Sequence, residues 1–342
     1  MLQLVLVVAM GVAIRLVIIP VVSGSSYGVV DVYSVDKQAA KSILDLVNPY
    51  EQVYVVNGVQ SAQFVYLPFI PAYYAAFLIL GDIRYGSIFA DILIMVSVYY
   101  IAKSIGRGQA IFAPLLFAIL PVSIWLTSVS GTNIMVGTAF LALGAAAVLH
   151  GKFWSGSLFL GIAVATNQLV VLALPMIIYY YWKRGRLYEF SIVALVAAAI
   201  ILPFFIMSPS RFIYNVLEYQ FVRPLQANGS YSFYSILYFA FGVRLTSWVR
   251  VGFVLVLAIL NVFWVSRRID AFVLSIGIML LLGAFILPVN GFWNYFLPSL
   301  AFFCALLPWL ICELNSRIQR TDKITTKNLF ILNVAAKDLK TT

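Results

Sequence analysis

Apolar residues run along this chain in blocks of about 20, the length that carries an α-helix across a hydrocarbon core. By that ruler the spans fall at 3–22, 86–104, 109–127, 132–149, 153–166, 168–182, 189–207, 246–265, 271–288 and 294–312, and the pair meeting at Asn167-Gln168 is short. One further block, 64–80, reads FVYLPFIPAYYAAFLIL. It carries Pro68 and Pro71 in its first turns and three tyrosines, Tyr66, Tyr73 and Tyr74, which favour the lipid–water boundary. The pattern therefore predicts an interfacial or re-entrant helix there. Two polar stretches remain, about 23–85 and about 208–245.

The first stretch contains VVDVYSVDKQAAKSILDLVNPYEQ, residues 29–52. Val32, Val35, Ala39, Ile43 and Leu46 alternate with Asp36, Lys37, Lys41 and Asp45 at helical spacing, which predicts an amphipathic helix lying in the interface. Asn48-Pro49 stops it. On this reading Asp36, Asp45 and Glu51 belong to the solvated face.

Composition agrees with the pattern. Of 342 residues, 63% are hydrophobic and 10% charged, and mean hydropathy is +1.01, so most of the surface faces lipid. The expected fold is all-α and polytopic, with about ten transmembrane helices plus interfacial helices in the first outer loop. Cys304 and Cys312 lie two turns apart on one helix and cannot pair with each other there. The first block lacks a basic leader region and reads as a retained helix.

The net charge of +10 sits in clusters between spans: Lys103 with Arg107, Lys152, Lys183-Arg184-Arg186, Arg267-Arg268 and the tail from Arg317 to Lys340. That is membrane topology rather than a nucleic-acid footprint. Short basic loops are cytoplasmic, and all the clusters share one side with the N-terminus only if 64–80 does not cross. The expected protein is a multi-pass plasma-membrane body, 1–312, with outer loops at 23–85 and 208–245, a basic tail at 313–342 and both termini cytoplasmic. Within the spans, Arg15 and Asp91 reach similar depths below the outer end, at about 1.5 Å per residue, and are expected to pair.

Candidate chemistry gathers at the outer side. Asp31 opens the amphipathic helix, where a carboxylate caps free N–H groups. At the membrane rim it can also serve as a general base that takes a proton from an acceptor hydroxyl. Arg84, Arg211, Arg223 and Arg244 are the outer cations, and guanidinium forks suit phosphate oxygens as well as headgroup anchoring. The loop SPSRFIYNVLEYQFVRPLQANGSYSFYS mixes Tyr214, Tyr219, Tyr231 and Tyr234 with Arg and Asn, chemistry that suits sugar rings, and Asn228-Gly229-Ser230 is an outward glycosylation sequon. No His, Cys or carboxylate cluster has metal-ligand spacing, so neither metal nor cofactor is expected.

The stretches DVYSVDKQAAKSILDLVNPYE and FVYLPFIPAYYAAFLILGD resemble the first outer loop of GT-C membrane glycosyltransferases, in particular polyprenyl-phosphate-mannose-dependent mannosyltransferases. The matching positions are Asp31, Tyr33, Asn48-Pro49-Tyr50 and Tyr66-Leu67-Pro68. GSLFLGIAVATNQLVVLALPM and NGFWNYFLPSLAFF continue the likeness more weakly, with Asn167 where a lysine is common and Tyr295 at the outer face. Asn133 stands where many relatives carry an acidic residue that helps bind metal.

The resemblance implies an inverting hexosyltransferase that moves a sugar, mannose above others, from a polyprenyl-phosphate donor to an outer lipid or glycan acceptor. It implies Asp31 as base, Tyr33 as its positioner, and Arg15, Tyr66, Arg84, Arg211, Arg223 and Tyr295 in substrate contact. Partners are then the donor, the acceptor and membrane lipids, with no nucleic acid. Two other readings stand beside it: a secondary transporter or lipid flippase, and a catalytically inactive GT-C-like membrane subunit.

Overall fold

A computed structural model describes residues 1–23, 31–56, 59–106, 109–225, 230–264 and 269–314. Arg107, Asn228, Arg267-Arg268 and the basic tail lie outside the described residues. Every block expected to span carries helix. α1 (Leu2–Ser23), α4 (Arg84–Ile105), α10 (Leu187–Met207), α15 (Ile269–Ile286) and α16 (Trp293–Leu314) are long and apolar enough to cross a membrane. α7 (Ile134–Leu149) and α8 (Phe153–Val164) are apolar but shorter, and α14 (Ser247–Trp264) is a further apolar helix.

Two expected spans are broken. The block 109–127 becomes α5 (Phe112–Ile119) and α6 (Pro121–Trp125), the latter running on as a π-helical turn, Leu126–Ser130, with a bend of 55° between the two. Pro121 causes the break: Leu120, the residue before it, is extended, as its ring demands. The block 168–182 starts as a 3-10 turn, Gln168–Ala173, and only then becomes α9 (Leu174–Lys183).

The loop between the first two spans is built as the periodicity predicts, with one addition. α2 (Asp31–Leu44) is followed by a 3-10 turn, Pro49–Glu51, capped by Asn48, whose Oδ1 accepts from the Tyr50 N–H at 3.1 Å. An antiparallel hairpin follows, β1 (Tyr54–Val56) and β2 (Val59–Ala62), with Tyr54 opposite Ala62 and Val56 opposite Val59. α3 (Phe69–Leu78) has ten residues and reaches about 15 Å, half a hydrocarbon core, so it cannot cross alone. It packs on α2, where Ala39 and Ala40 are fully buried.

The centre of the body is α4, α7 and α8, with α10 against α8. Gly144 on α7 lies so near Leu160 on α8 that a methyl group there would sit 2.6 Å from its Cγ. Small residues let apolar helices approach where lipid supplies no hydrophobic drive. The second polar stretch folds into α11 (Pro209–Ile213), a π-helical turn (Tyr214–Glu218), α12 (Tyr219–Val222) and α13 (Phe233–Phe241).

Candidate active site

Several irregular segments of this fold meet at one cavity. There the breaks before α7 and α9, the start of α16 and the α12 segment surround a volume of about 160 Å³. Its polar wall is made of five amides, Asn133, Asn167, Gln168, Gln220 and Asn294, and two phenols, Tyr66 and Tyr295. No ionised side chain lines it among the described residues.

Two of the amides are also structural. Asn167 Oδ1 accepts from the Leu169 N–H at 2.8 Å and so caps the 3-10 turn. Gln168 Nε2 donates to the Val65 carbonyl at 3.0 Å and the Val216 carbonyl at 3.1 Å, pinning the first polar loop to the second across the cavity. The Asn294 Oδ1 is buried without a hydrogen-bond partner.

Behind one wall stands a carboxyl that the periodicity assigned to solvent. Asp36 is fully buried, and the Asn133 Nδ2 donates to both its oxygens, at 3.1 and 3.3 Å. Burial raises its pKa well above the usual 3.8, Asn133 opposes that shift, and the charge of Asp31 adds to it. Correction of the solvated-face reading has a simple cause. The buried arc of α2 runs through Val35, Asp36, Ala39 and Ala40, because the two alanines let α3 approach closely.

Tyr66 completes this group. Burial raises its pKa well above 10, followed by the influence of Asp36, Tyr295 and Asp31, while a hydrogen bond with Asn133 opposes it. Asp31 itself is exposed, with Oδ1 accepting from the Val32 N–H at 2.8 Å. It lies near enough to act on Tyr66 and Asp36, but it is not among the residues of the cavity wall. No group of three His, Cys, Asp or Glu converges to hold a metal among the described residues.

Cations stand behind the opposite wall. Arg223 donates through Nη1 to the Tyr295 hydroxyl at 3.4 Å and through Nη2 to the Asn290 carbonyl, and its guanidinium lies 5.5 Å from the Phe292 ring centroid. Arg250 on α14 is 2% exposed. It donates to the Leu287 carbonyl and to Ser247 Oγ, and sits over the rings of Tyr234 and Phe221 at 4.9 and 5.8 Å. Phe221 and Leu287 line the cavity. Both Nε atoms are buried without a partner, and neither arginine meets a carboxylate among the described residues. Arg250 is buried and Arg223 half-buried; a buried cation without an anion costs on the order of several kcal/mol, so an anion is favoured beside Arg250. Arg250 was not singled out from the sequence, although a charge inside an apolar span is the signal that finds it.

The remaining sequence-predicted residues lie elsewhere. Arg15 makes the expected ion pair with Asp91, fully buried, and also donates to the Gly11 and Ala118 carbonyls and to Ser123 Oγ. The Leu120-Pro121 break frees carbonyls at the end of α5, and Arg15 takes up that of Ala118 at 2.9 Å. Arg84 forks Asp82 at 2.6 and 2.8 Å and lies over the Tyr33 ring at 5.3 Å. Tyr33 donates to Asp82 at 3.3 Å, and its hydroxyl is pushed up to about 12 by burial and then by Asp82. Gly131, in the left-handed region at φ +54, seats this cluster: a Cβ there would meet Tyr33 Cδ2 at 2.9 Å. Arg211 is exposed in a separate cleft and donates to the Glu51 carbonyl at 3.0 Å.

The arrangement thus brings Tyr66, Tyr295 and Arg223 together, with Asp31 close by, and leaves Arg15, Tyr33, Arg84 and Arg211 in other settings. No protein-family model and no curated protein matches the chain. Its fold does match solved structures. ArnT from Cupriavidus metallidurans bound to undecaprenyl phosphate superposes with a TM-score of 0.59 at 15% identity, over 88% of this chain. The same protein in the apo state gives 0.60 at 14% identity, again over 88%. The chain spans 58% of the length of those structures. The chain thus shares the polytopic helical fold of those structures over most of its length.

Proposed function

We propose that this protein is a membrane glycosyltransferase that moves a sugar, mannose in the first instance, from a polyprenyl-phosphate donor to a hydroxyl of a lipid or glycan acceptor at the outer face of the membrane. The carrying observation is the cavity itself. It is walled by amides and phenols, the groups that read sugar hydroxyls, and backed by two arginines that meet no carboxylate among the described residues. The likeness to a protein solved with undecaprenyl phosphate supports the same donor class.

In this reading Arg223 holds the donor phosphate beside Tyr295, and Arg250 adds positive potential from behind. Asp31 takes the proton of the acceptor hydroxyl as its oxygen attacks the anomeric carbon. The bond from that carbon to the phosphate oxygen breaks, and polyprenyl phosphate leaves with the electron pair. A single displacement of this kind inverts the anomeric centre. Tyr66 is a wall contact to the sugar. Arg15, Tyr33 and Arg84 have their polar groups engaged within the protein, so their part is to hold α1, α2 and α4 in register. Arg211 lines a cleft of its own, and in this reading it meets the acceptor rather than the donor.

Binding of undecaprenyl phosphate to the purified protein tests the phosphate seat. Arg223→Ala is expected to weaken it about 10- to 100-fold, the worth of a charge-assisted hydrogen bond, while Arg211→Ala changes it little. Equal weakening by both variants would remove Arg223 from the seat.

A further inference from the structure

Asp36 is the most costly polar group in the first loop, and Asn133 supplies what it receives. A carboxyl buried without a cation is tolerated only where its hydrogen bonds are met. Asn133 spends its Nδ2 on both Asp36 oxygens. Its side chain also lines the cavity, as does that of Tyr66. The amide is therefore gripped from the α2 side. An amide held by its nitrogen has one remaining directional group, the Oδ1 acceptor.

The backbone reinforces the grip. Asn133 stands just before α7, two residues after the left-handed Gly131, and the Thr132 N–H donates to the Leu126 carbonyl at 3.1 Å. Gly137, one turn into α7, abuts Asn167 so closely that a Cβ there would sit 2.9 Å from that residue's Cβ. The two asparagines of the wall are thus fixed relative to each other, and Asp36 fixes the rotation of one of them.

We propose that Asp36 is a positioning residue: it clamps the Asn133 amide so that Asn133 and Tyr66 together present a hydrogen-bonding pair to a ring hydroxyl of the donor sugar. This rests on the glycosyltransferase reading above and names the part of the cavity that reads the sugar as distinct from the phosphate. Asp36 touches no substrate. Asn133 and Tyr66 do, and selectivity among sugars depends on how firmly the amide is held.

The test compares two probes, undecaprenyl phosphate and undecaprenyl-phosphate mannose, binding to the full-length protein in lipid nanodiscs. Wild type is expected to prefer the sugar-bearing lipid. Asn133→Ala and Asp36→Leu are each expected to lose about tenfold of that preference while binding the bare lipid as before, which also reports that the cavity is folded. Asp36→Asn, whose side-chain oxygen still accepts from Asn133, is expected to retain most of it. Should Asp36→Leu bind the bare lipid normally and keep the full preference, the positioning role is overturned. Should Asp36→Asn fall as far as Asp36→Leu, charge rather than clamping matters and the proposal fails. If Asp36→Leu does not fold, Asn133→Ala and Asp36→Asn decide by the same criteria. Wild-type protein that binds neither probe refutes the donor assignment itself, a result distinguishable from binding both equally, which refutes only the sugar-reading pair.

Discussion

At the scale of single residues, Asp36 separates what the sequence displayed from what folding did with it. Spacing alone gave α2 an apolar face at Val32, Val35, Ala39, Ile43 and Leu46, and a carboxylate flanking it looked solvated. Which flank is covered depends on where a neighbouring helix lies, and nothing local encodes that. The same burial has a measurable consequence. The folded pKa of Asp36 is raised above its unfolded value, so the folded state binds a proton that the unfolded state releases near neutrality. The penalty is absent below about pH 4 and grows as pH rises toward the folded pKa, by about 1.4 kcal/mol per unit. Asp36→Asn removes it. The unfolding temperature of the variant relative to wild type should therefore be higher at pH 7 than at pH 4.5, and a difference of equal size at both would contradict the burial. The outer cations were legible as residue types, but only Arg223 among those named reaches the cavity wall, through Tyr295. Tertiary packing chose it.

Among the elements, the long apolar helices were plain from periodicity and length, and the breaks were not. Pro121 lies inside an otherwise continuous apolar block, and Asn167-Gln168 divides two short ones; both mark places where backbone groups leave the helix ladder. The hairpin of β1 and β2 went unforeseen although Asn57-Gly58, a strong hairpin signal, separates its strands in the sequence. The Arg15–Asp91 pair ties α1 to α4 beside the α5–α6 bend. Removing one partner strands the other charge in an apolar interior. Asp91→Ala is expected to destabilise by about 3–5 kcal/mol, whereas Arg15→Met with Asp91→Leu, of similar volume, should recover most of that loss. Denaturation in detergent measures both, and a double variant as unstable as Asp91→Ala would show that the pair does more than fasten helices.

For the whole molecule, the first-loop motifs resemble those of GT-C glycosyltransferases, and the fold is shared with ArnT at 14–15% identity. Such distance is where sequence pattern fades and topology persists. The chemistry proposed for it places an arginine-backed cavity near a carboxylate, a division of labour in which the lipid supplies the leaving group and the protein supplies position and a base. One assay bears on this most directly: transfer of radiolabelled mannose from polyprenyl-phosphate mannose to total lipid and glycan acceptors by purified protein, wild type beside Asp31→Asn. Transfer by wild type, reduced about 100-fold or more in the variant, is the expected result. Equal transfer by the two would take Asp31 out of the reaction, and no transfer by wild type to any acceptor would contradict the enzyme itself.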